Sequence, residues 1–172
     1  ESENKELTSW IKCSPTMKME SGVKDLIWKF RFHLRKVKGA LPIVLRSTEW
    51  KDDREKASAL RLLEDWGDVD PSEVLELLTG DLPYPEVWGY ARKMLGKADS
   101  QSLCKYLLQL VQAMRYDPES KKKGSNFHRG SPFQNFLINR AVKDLEMGVL
   151  FHWYVKVEEE DELYSRVMRR FH

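Results

Sequence analysis

The side chains best suited to metal binding or acid–base chemistry in this chain are its histidines, its cysteines and one acidic run. Zinc ligands recur at short intervals, as in C-x-x-C or H-E-x-x-H. No such interval occurs among the two cysteines and four histidines, Cys13, Cys104, His33, His128, His152 and His172. The acidic run from Glu158 to Glu162 lacks the Asp, Asn and Gly spacing of a calcium loop. We therefore predict no metal ligand in the chain.

Signatures of nucleotide-binding and acyl-transfer enzymes are also missing from the sequence. It contains no phosphate-binding loop, no G-x-G-x-x-G, no G-x-S-x-G and no kinase catalytic loop. Carboxylates are numerous, but their spacing does not single out an acid–base pair. His152 lies in the bulky segment from Phe151 to Tyr154, where we expect a packed, hydrogen-bonded histidine. The sequence thus predicts no catalytic and no cofactor-binding residue, and leaves open whether the chain belongs to an enzyme.

Composition and charge indicate a folded, soluble domain without a general affinity for polyanions. Hydrophobic residues make up 41% and charged residues 33% of the 172 residues. Lys plus Arg number 29 against 27 Asp plus Glu, and a net charge of +2 gives no reason to bind nucleic acid. No segment resembles a membrane span or a signal peptide. Two distant cysteines allow one disulfide but favour free thiols, so we expect a cytoplasmic location.

The helices that must position any site are predicted by the hydrophobic pattern. From Asp99 to Pro118, one apolar stripe repeats every three or four residues and indicates a long helix with one buried face: Leu103, Leu107, Leu110 and Met114. Capping pairs, each an Asp or Ser followed three residues later by Glu or Gln, are predicted at Asp52–Glu55, Asp70–Glu73 and Ser131–Gln134. Glycines that would end helices are Gly67, Gly80 and Gly96.

These signals predict nine helices and no strand. The helices lie near residues 22–37, 40–47, 53–66, 71–79, 85–95, 100–116, 132–143, 146–158 and 162–171. Short connections make sequential helices antiparallel neighbours. An all-α, HEAT/armadillo-like α-solenoid, a right-handed superhelix of antiparallel helix pairs, is the favoured architecture, and a globular helical bundle stays open.

The predicted domain layout is an N-terminal linker segment at residues 1–21 and a helical domain at residues 22–172. Within that domain, a mobile loop is expected near residues 117–131, which contain two glycines and the Lys121–Lys123 run. This run could touch anionic lipid, although a solvated loop is the plainer interpretation. The chain begins without Met and stops within an amphipathic pattern, so we expect a fragment of a larger protein.

The first predicted helix carries apolar side chains on two faces. Its main stripe consists of Val23, Ile27, Phe30, Leu34 and Val37. Trp28 and Phe32 lie one turn apart on the opposite side, with Arg31 and Arg35 beside them. Either this is a central helix between two layers of its own domain, or the second face covers a neighbouring domain, since exposed aromatic pairs mark interfaces. Trp28, Phe32, Arg31 and Arg35 are therefore the candidate interdomain contact.

Short motifs in a fixed order cover nearly the whole chain from about Pro15. The first are K-D-L-I-W-K-F-R-F, A-L-P-I-V-L-R-S, A-L-R-L-L-E-D-W and D-P-S-E-V-L-E-L-L, at residues 24–32, 40–47, 59–66 and 70–78. P-E-V-W-G-Y-A and Y-L-L-Q-L-V-Q-A-M-R-Y follow at residues 85–91 and 106–116. In this order they resemble the helical (accessory) domain of phosphatidylinositol 3-kinases, and the last motif is the most specific match.

Within that family the C-terminal motifs look most like the class III enzyme. They are F-L-I-N-R-A, H-W-Y-V-K-V-E and L-Y-S-R-V-M-R-R-F, at residues 136–141, 152–158 and 163–171. Class I enzymes carry acidic residues just before K-D-x-x-W, where this chain has Lys18 and Ser21. The chain departs from the class III pattern in being shorter between Asp117 and Gly130 and between Glu160 and Leu163.

The resemblance implies a HEAT-like solenoid that joins an N-terminal C2 domain to a C-terminal lipid kinase domain. The parent enzyme would transfer the γ-phosphate of ATP to the inositol 3-hydroxyl of phosphatidylinositol, with ATP and magnesium held by the kinase domain. A protein-kinase-like regulatory subunit and a Beclin-type subunit are the implied partners. Endosomal and autophagosomal membranes are the implied location, with peripheral membrane contact made only through the parent protein.

Two alternatives to this function stay open. One is a free-standing helical-repeat adaptor that binds a partner protein. The other is the accessory domain of a phosphatidylinositol 4-kinase, against which the terminal motif with Arg169 and Arg170 argues.

Overall fold

The chain folds as helices joined by short turns wherever the structure, a computed structural model, describes it, namely over residues 19–120 and 130–172. No β-strand occurs in these two ranges, so the all-α prediction is confirmed for them. Their α-helices are α1 Ser21–Leu34, α2 Leu41–Ser47, α3 Asp53–Asp65, α4 Pro71–Leu75, α5 Pro85–Lys97, α6 Ser100–Cys104, α7 Leu107–Ala113, α8 Pro132–Lys143, α9 Leu145–Val157 and α10 Glu162–Phe171, and a 3-10 helix, η1, spans Met114–Tyr116. The Lys121–Lys123 run and nearly all of the predicted linker at residues 1–21 lie outside the described residues.

The predicted long helix at residues 100–116 is wrong, because the chain forms a turn at Lys105 and Tyr106 and leaves the helical conformation at Tyr106. Tyr106 has φ −116° and ψ 7°, and its backbone N–H donates to Leu103 O at 3.0 Å in a turn. All four residues of the predicted stripe, on both sides of this break, are nevertheless fully buried. Periodicity thus identified the buried face, while packing requires two short helices and η1 rather than one straight helix.

Of the three predicted capping pairs, one forms completely, one forms in part and one does not form. At α8, Gln134 N donates to Ser131 Oγ at 3.1 Å and Ser131 N donates to Gln134 Oε1 at 3.3 Å, which is the predicted capping box. At α3, Asp52 accepts from the first-turn amides, but the Glu55 carboxylate accepts from Glu49 N instead of from Asp52. Asp70 makes no side-chain capping bond at α4.

Helix ends differ from the glycine-based prediction. Gly96 lies inside α5, and the glycines with positive φ among the described residues are Gly39 and Gly130. Helices α3 and α5 end instead on an extended residue, Trp66 or Ala98. No left-handed glycine is needed at these ends, because the extended residue already turns the chain away.

The described residues divide into two compact units, the first ending at Asp68 and the second beginning at Val69. In the first unit, α1 packs against α2, and Ile27, Leu41 and Leu45 are buried. The indole nitrogen of Trp50 donates to Leu45 O at 2.9 Å and fixes the turn that follows α2.

The second unit is built around α9, which packs against α7, α8 and α10. Its inner side chains, Met147, Phe151 and Val155, are fully buried. A Cβ atom added at Gly148 would lie 2.8 Å from Ala141 O of α8, so glycine allows these two helices to approach closely at this point. None of the helices in residues 19–120 or 130–172 combines the length and hydrophobicity needed to cross a membrane.

The segment between η1 and α8 begins at Asp117 and ends at Gly130, and both of these residues pack against the second unit. Asp117 is 1% exposed and accepts the Glu119 N–H at 2.9 Å. At the other end, Gly130 has φ 66°, and a Cβ atom there would collide with the guanidinium of Arg170. That guanidinium donates to Gln134 Oε1 at 3.2 Å and to the side chain of Asn135.

Asp117 should make the stability of the chain depend on pH. Its Oδ2 is buried without a hydrogen-bond partner among the described residues, and burial raises the pKa of this carboxyl group above its usual range. The folded state therefore binds the proton more tightly than the unfolded state. The contribution of Asp117 to the unfolding free energy is fully present at low pH and is lost as pH rises through the raised pKa. We expect Asp117→Asn to remove this loss and to raise the unfolding free energy near pH 7 by up to about 1 kcal/mol.

Urea unfolding of both proteins at several pH values measures this effect. Asp52→Asn is the matched control, because hydrogen bonds from the Glu55 and Arg54 amides lower the pKa of the exposed Asp52. Its contribution is present above the unfolded-state pKa and is lost as pH falls, so its substitution should change the pH dependence in the opposite direction. An Asp117→Asn protein with an unchanged pH profile would contradict the prediction.

Candidate interdomain contact site

The predicted contact residues share one face of α1 and its C-terminal end. Residues three and four apart are neighbours on a helix, which places Trp28, Arg31, Phe32 and Arg35 in one row. On the other side of α1, Ile27 and Leu34 are buried, Val23 and Phe30 are half-buried, and Val37 lies beyond the helix and is exposed. The predicted apolar stripe therefore anchors α1 through Ile27 and Leu34 and does not extend to Val37.

Three of the four side chains, those of Trp28, Arg31 and Phe32, form an ordered stack. The guanidinium carbon of Arg31 lies 4.3 Å from the ring centroid of Trp28 and 4.5 Å from that of Phe32. Its Nη1 donates to Trp28 O at 2.6 Å, which holds the guanidinium against the helix. A cation over an aromatic face contributes about 0.5–1 kcal/mol at exposed sites. The two rings and the guanidinium are thus pre-assembled before any partner binds.

No part of the described chain covers this stack completely, so a partner protein can reach it. Phe32 is 59% exposed, and Trp28 and Arg31 are half-buried. Arg35 is exposed and lies 3.9 Å from Asp65 of α3, an ion pair that contributes little because water screens it. Trp and Arg are the residue types that most often dominate binding energy at protein interfaces. The stack contains no nucleophile and no acid–base pair. Its side chains are therefore suited to binding another protein surface rather than to catalysis.

A second exposed apolar surface, on α9, was missed by the sequence analysis. Trp153 is 60% exposed, although it lies in the segment where we expected packing, and Phe151 beside it is fully buried. The signal was present in the sequence: α9 is apolar on nearly all sides, which leaves one apolar face outside whichever face packs inward. His152 is half-buried, and its ring centroid lies 5.3 Å from that of Trp153 and 5.2 Å from that of His172.

Possible ligands for a metal or cofactor do not come together in residues 19–120 and 130–172. No group of three or more His, Cys, Asp or Glu side chains there could hold a metal ion. Cys104 is half-buried, and burial raises the pKa of its thiol, so it is a poor nucleophile. Cys13 and His128 lie outside the described residues.

Comparison with known proteins gives the chain a family context. The model of the phosphoinositide 3-kinase family, accessory domain (PIK domain), matches residues 1–171. Phosphatidylinositol 3-kinase pik3 of Schizosaccharomyces pombe is 41% identical over an alignment of 171 residues that covers 97% of this chain and 21% of that protein. Phosphatidylinositol 3-kinase VPS34 of Arabidopsis thaliana is 36% identical over 164 residues, 95% of this chain and 19% of that protein.

A more distant relative is longer in the matched region. VPS34 of Saccharomyces cerevisiae is 29% identical over an alignment of 205 residues that covers 92% of this chain and 23% of that protein. Because this chain has 172 residues, that alignment includes inserted residues in the yeast protein. The chain spans about a fifth of the length of the curated relatives it matches.

Proposed function

We infer the function of this chain from its family, because it belongs to the phosphoinositide 3-kinase accessory domains (PIK domains). The resemblance to phosphatidylinositol 3-kinases expected from the sequence is thereby confirmed. Our proposal is a helical scaffold domain of a class III phosphatidylinositol 3-kinase, which positions the C2 and lipid kinase domains of the same polypeptide. The main support for this proposal is the length of the match. Nearly the whole chain aligns with phosphatidylinositol 3-kinases, but it covers only about a fifth of their length.

The proposed parent enzyme phosphorylates the inositol 3-hydroxyl of phosphatidylinositol with ATP, in endosomal trafficking and autophagy. ATP and magnesium would bind its kinase domain, and a protein-kinase-like subunit and a Beclin-type subunit would be its partners. It would be a cytoplasmic protein that associates peripherally with endosomal and autophagosomal membranes. Relatives named as 3-kinases support this proposal over a 4-kinase and over a free-standing adaptor.

A scaffold needs a rigid frame, and we propose that this frame is a HEAT/armadillo-like solenoid, a right-handed superhelix. Sequential helices pack on one another within each unit, as α1 does on α2, α4 on α5, and α8 on α9. This pairing supports the proposal, because in such repeats each helix buries its apolar face against the next helix. The Arg31 stack on α1 would then dock one neighbouring domain.

The experiment compares the full-length protein with the isolated 172-residue chain. Full-length protein should form phosphatidylinositol 3-phosphate, and the isolated chain should form none. In the isolated chain, Trp28→Ala should lower the unfolding free energy by about 1 kcal/mol, well below the roughly 3–5 kcal/mol of a fully buried aromatic, because Trp28 is half-buried. In the full-length protein the same change should also increase hydrogen exchange at α1, since the contact with the neighbouring domain is lost.

Trp66→Ala is the control, because Trp66 is 7% exposed and belongs to the same unit. It should destabilise the isolated chain and the full-length protein equally. If Trp28→Ala behaved like Trp66→Ala, Trp28 would belong to the core of its own unit. A full-length protein that makes no phosphatidylinositol 3-phosphate would rule out the proposed enzyme.

A further inference from the structure

Helix α9 has a second apolar face that the described chain does not cover. Its residues repeat every fourth position and are between 50% (Val149) and 86% (Leu145) exposed, and they are Leu145, Val149, Trp153 and Val157. We refer to these four residues as the outer face of α9. Contiguous exposed apolar surface of this kind marks an interaction site.

The charges around the outer face are few and balanced. Glu146 and Lys156 lie within the exposed sector of the helix and have opposite signs, and Lys156 is already paired with Glu159. At the N-terminal end of α9, Lys143 and Asp144 again carry opposite charges. Surfaces that bind nucleic acid or anionic membranes concentrate Lys and Arg. The balance here favours an uncharged protein surface as the occupant.

An open groove adjoins this face. It has a volume of about 710 Å³ and runs between the end of α8, the outer side of α9 and the end of α10. Its lining includes Val142, Leu145 and Val149 on one side and Phe171 and His172 on the other. Phe171 is held in place by an edge-on contact with the buried Phe151, with ring centroids 5.1 Å apart. The groove is large enough to receive apolar side chains of a partner.

We propose that the outer face of α9 and this groove dock the domain that follows His172 in the full-length protein, through an apolar, uncharged surface of that domain. This inference rests on the proposed function, in which the chain is one part of a longer kinase. His172 itself lines the groove, so the residues after it start at the edge of the docking site. A contact between two parts of one polypeptide forms at a raised effective concentration, which favours an apolar contact without ion pairs.

Photo-crosslinking in the full-length protein identifies the occupant. A benzoylphenylalanine in place of Trp153 should crosslink to residues that follow His172 in the same polypeptide. The same replacement at Leu108, which is 41% exposed on α7, should give no such crosslink. Crosslinks from position 153 to a second copy, to lipid, to residues before Glu1 or to nothing would each overturn the proposal.

A substitution at Trp153 measures how strongly this contact protects the residues after His172 from proteolysis. In the full-length protein, Trp153→Ser should speed proteolytic cleavage just after His172 by about tenfold or more, a loss of roughly 1.4 kcal/mol. In the isolated chain the same change should alter the unfolding free energy by less than about 0.5 kcal/mol, because the side chain is exposed. Leu108→Ser is the control and should leave cleavage unchanged. An unchanged cleavage rate for Trp153→Ser would count against docking.

Assaying the same preparation for lipid phosphorylation separates the two proposals. Formation of phosphatidylinositol 3-phosphate without the crosslink would refute the docking site alone. The crosslink without that product would refute the proposed kinase and keep the docking site.

Discussion

Tyr164→Ala should lower the unfolding free energy of the chain by about 3–5 kcal/mol, the largest loss that we predict for a single substitution. Tyr164 of α10 is fully buried, and its hydroxyl donates to Val111 O at 3.1 Å. Burial raises the pKa of this hydroxyl, which therefore stays protonated and able to donate. Truncation would leave a large cavity in the second unit and would remove the hydrogen bond from the hydroxyl to Val111 O. Urea unfolding followed by circular dichroism measures the loss.

Tyr164→Phe separates the ring from the hydroxyl. It retains the packing and should cost only about 1–2 kcal/mol, the amount for a buried hydrogen bond. Part of this cost is the loss of a second hydrogen bond, in which Arg115 Nε donates to the Tyr164 hydroxyl at 3.4 Å. If the Ala and Phe variants lost the same free energy, the ring would contribute nothing to the core.

Gly148→Ala should destabilise the chain by about 1–3 kcal/mol, which is the reverse of the usual effect of this substitution. Alanine in place of a helical glycine normally adds about 1 kcal/mol of helix propensity. At Gly148 the new Cβ atom would lie 2.8 Å from a backbone oxygen, Ala141 O, which cannot move without shifting α8. Thermal and urea unfolding of the variant test this expectation.

Gly89→Ala provides the matched control. Gly89 also lies inside a helix, α5, but a Cβ atom there would meet nothing within 4 Å. It should therefore stabilise the chain by about 0.5–1 kcal/mol. Opposite signs for the two variants would establish the close approach of α8 and α9, and stabilisation by both would exclude it.

Local sequence signals predicted those helices whose ends they define. The structure gives α8 and α10 at the predicted residues 132–143 and 162–171, since Ser131 caps one and Asp161 caps the other. Predicted helices 22–37 and 71–79 were too long, because α1 and α4 give way to turns after Leu34 and Leu75. Their apolar patterns continue into these turns, where residues such as Leu77 and Leu78 are still buried. A pattern of burial alone does not distinguish a helix from a turn that packs.

The candidate sites show the same limit. Sequence spacing placed Trp28, Arg31 and Phe32 on one face, but the insertion of the guanidinium between the rings depends on side-chain conformations that spacing does not determine. For α9, two apolar stripes occur in one segment, at 147, 151 and 155 and at 145, 149, 153 and 157. Only packing against α7, α8 and α10 decides which of them faces inward. That decision depends on residues distant in sequence and could not be made from the segment itself.

The packing of Asp117 and Gly130 affects how well the segment between them can tolerate inserted residues. Both ends of the connection are held by the second unit, Asp117 by burial and Gly130 by its fit against Arg170. Residues inserted between these two points would lengthen a closed loop without moving either anchor. Each doubling of such a loop costs only about 0.6 kcal/mol of chain entropy. Residues can therefore be added at this position at little thermodynamic cost, while a single side chain added at position 130 would be strained by the positive φ and would displace the guanidinium of Arg170.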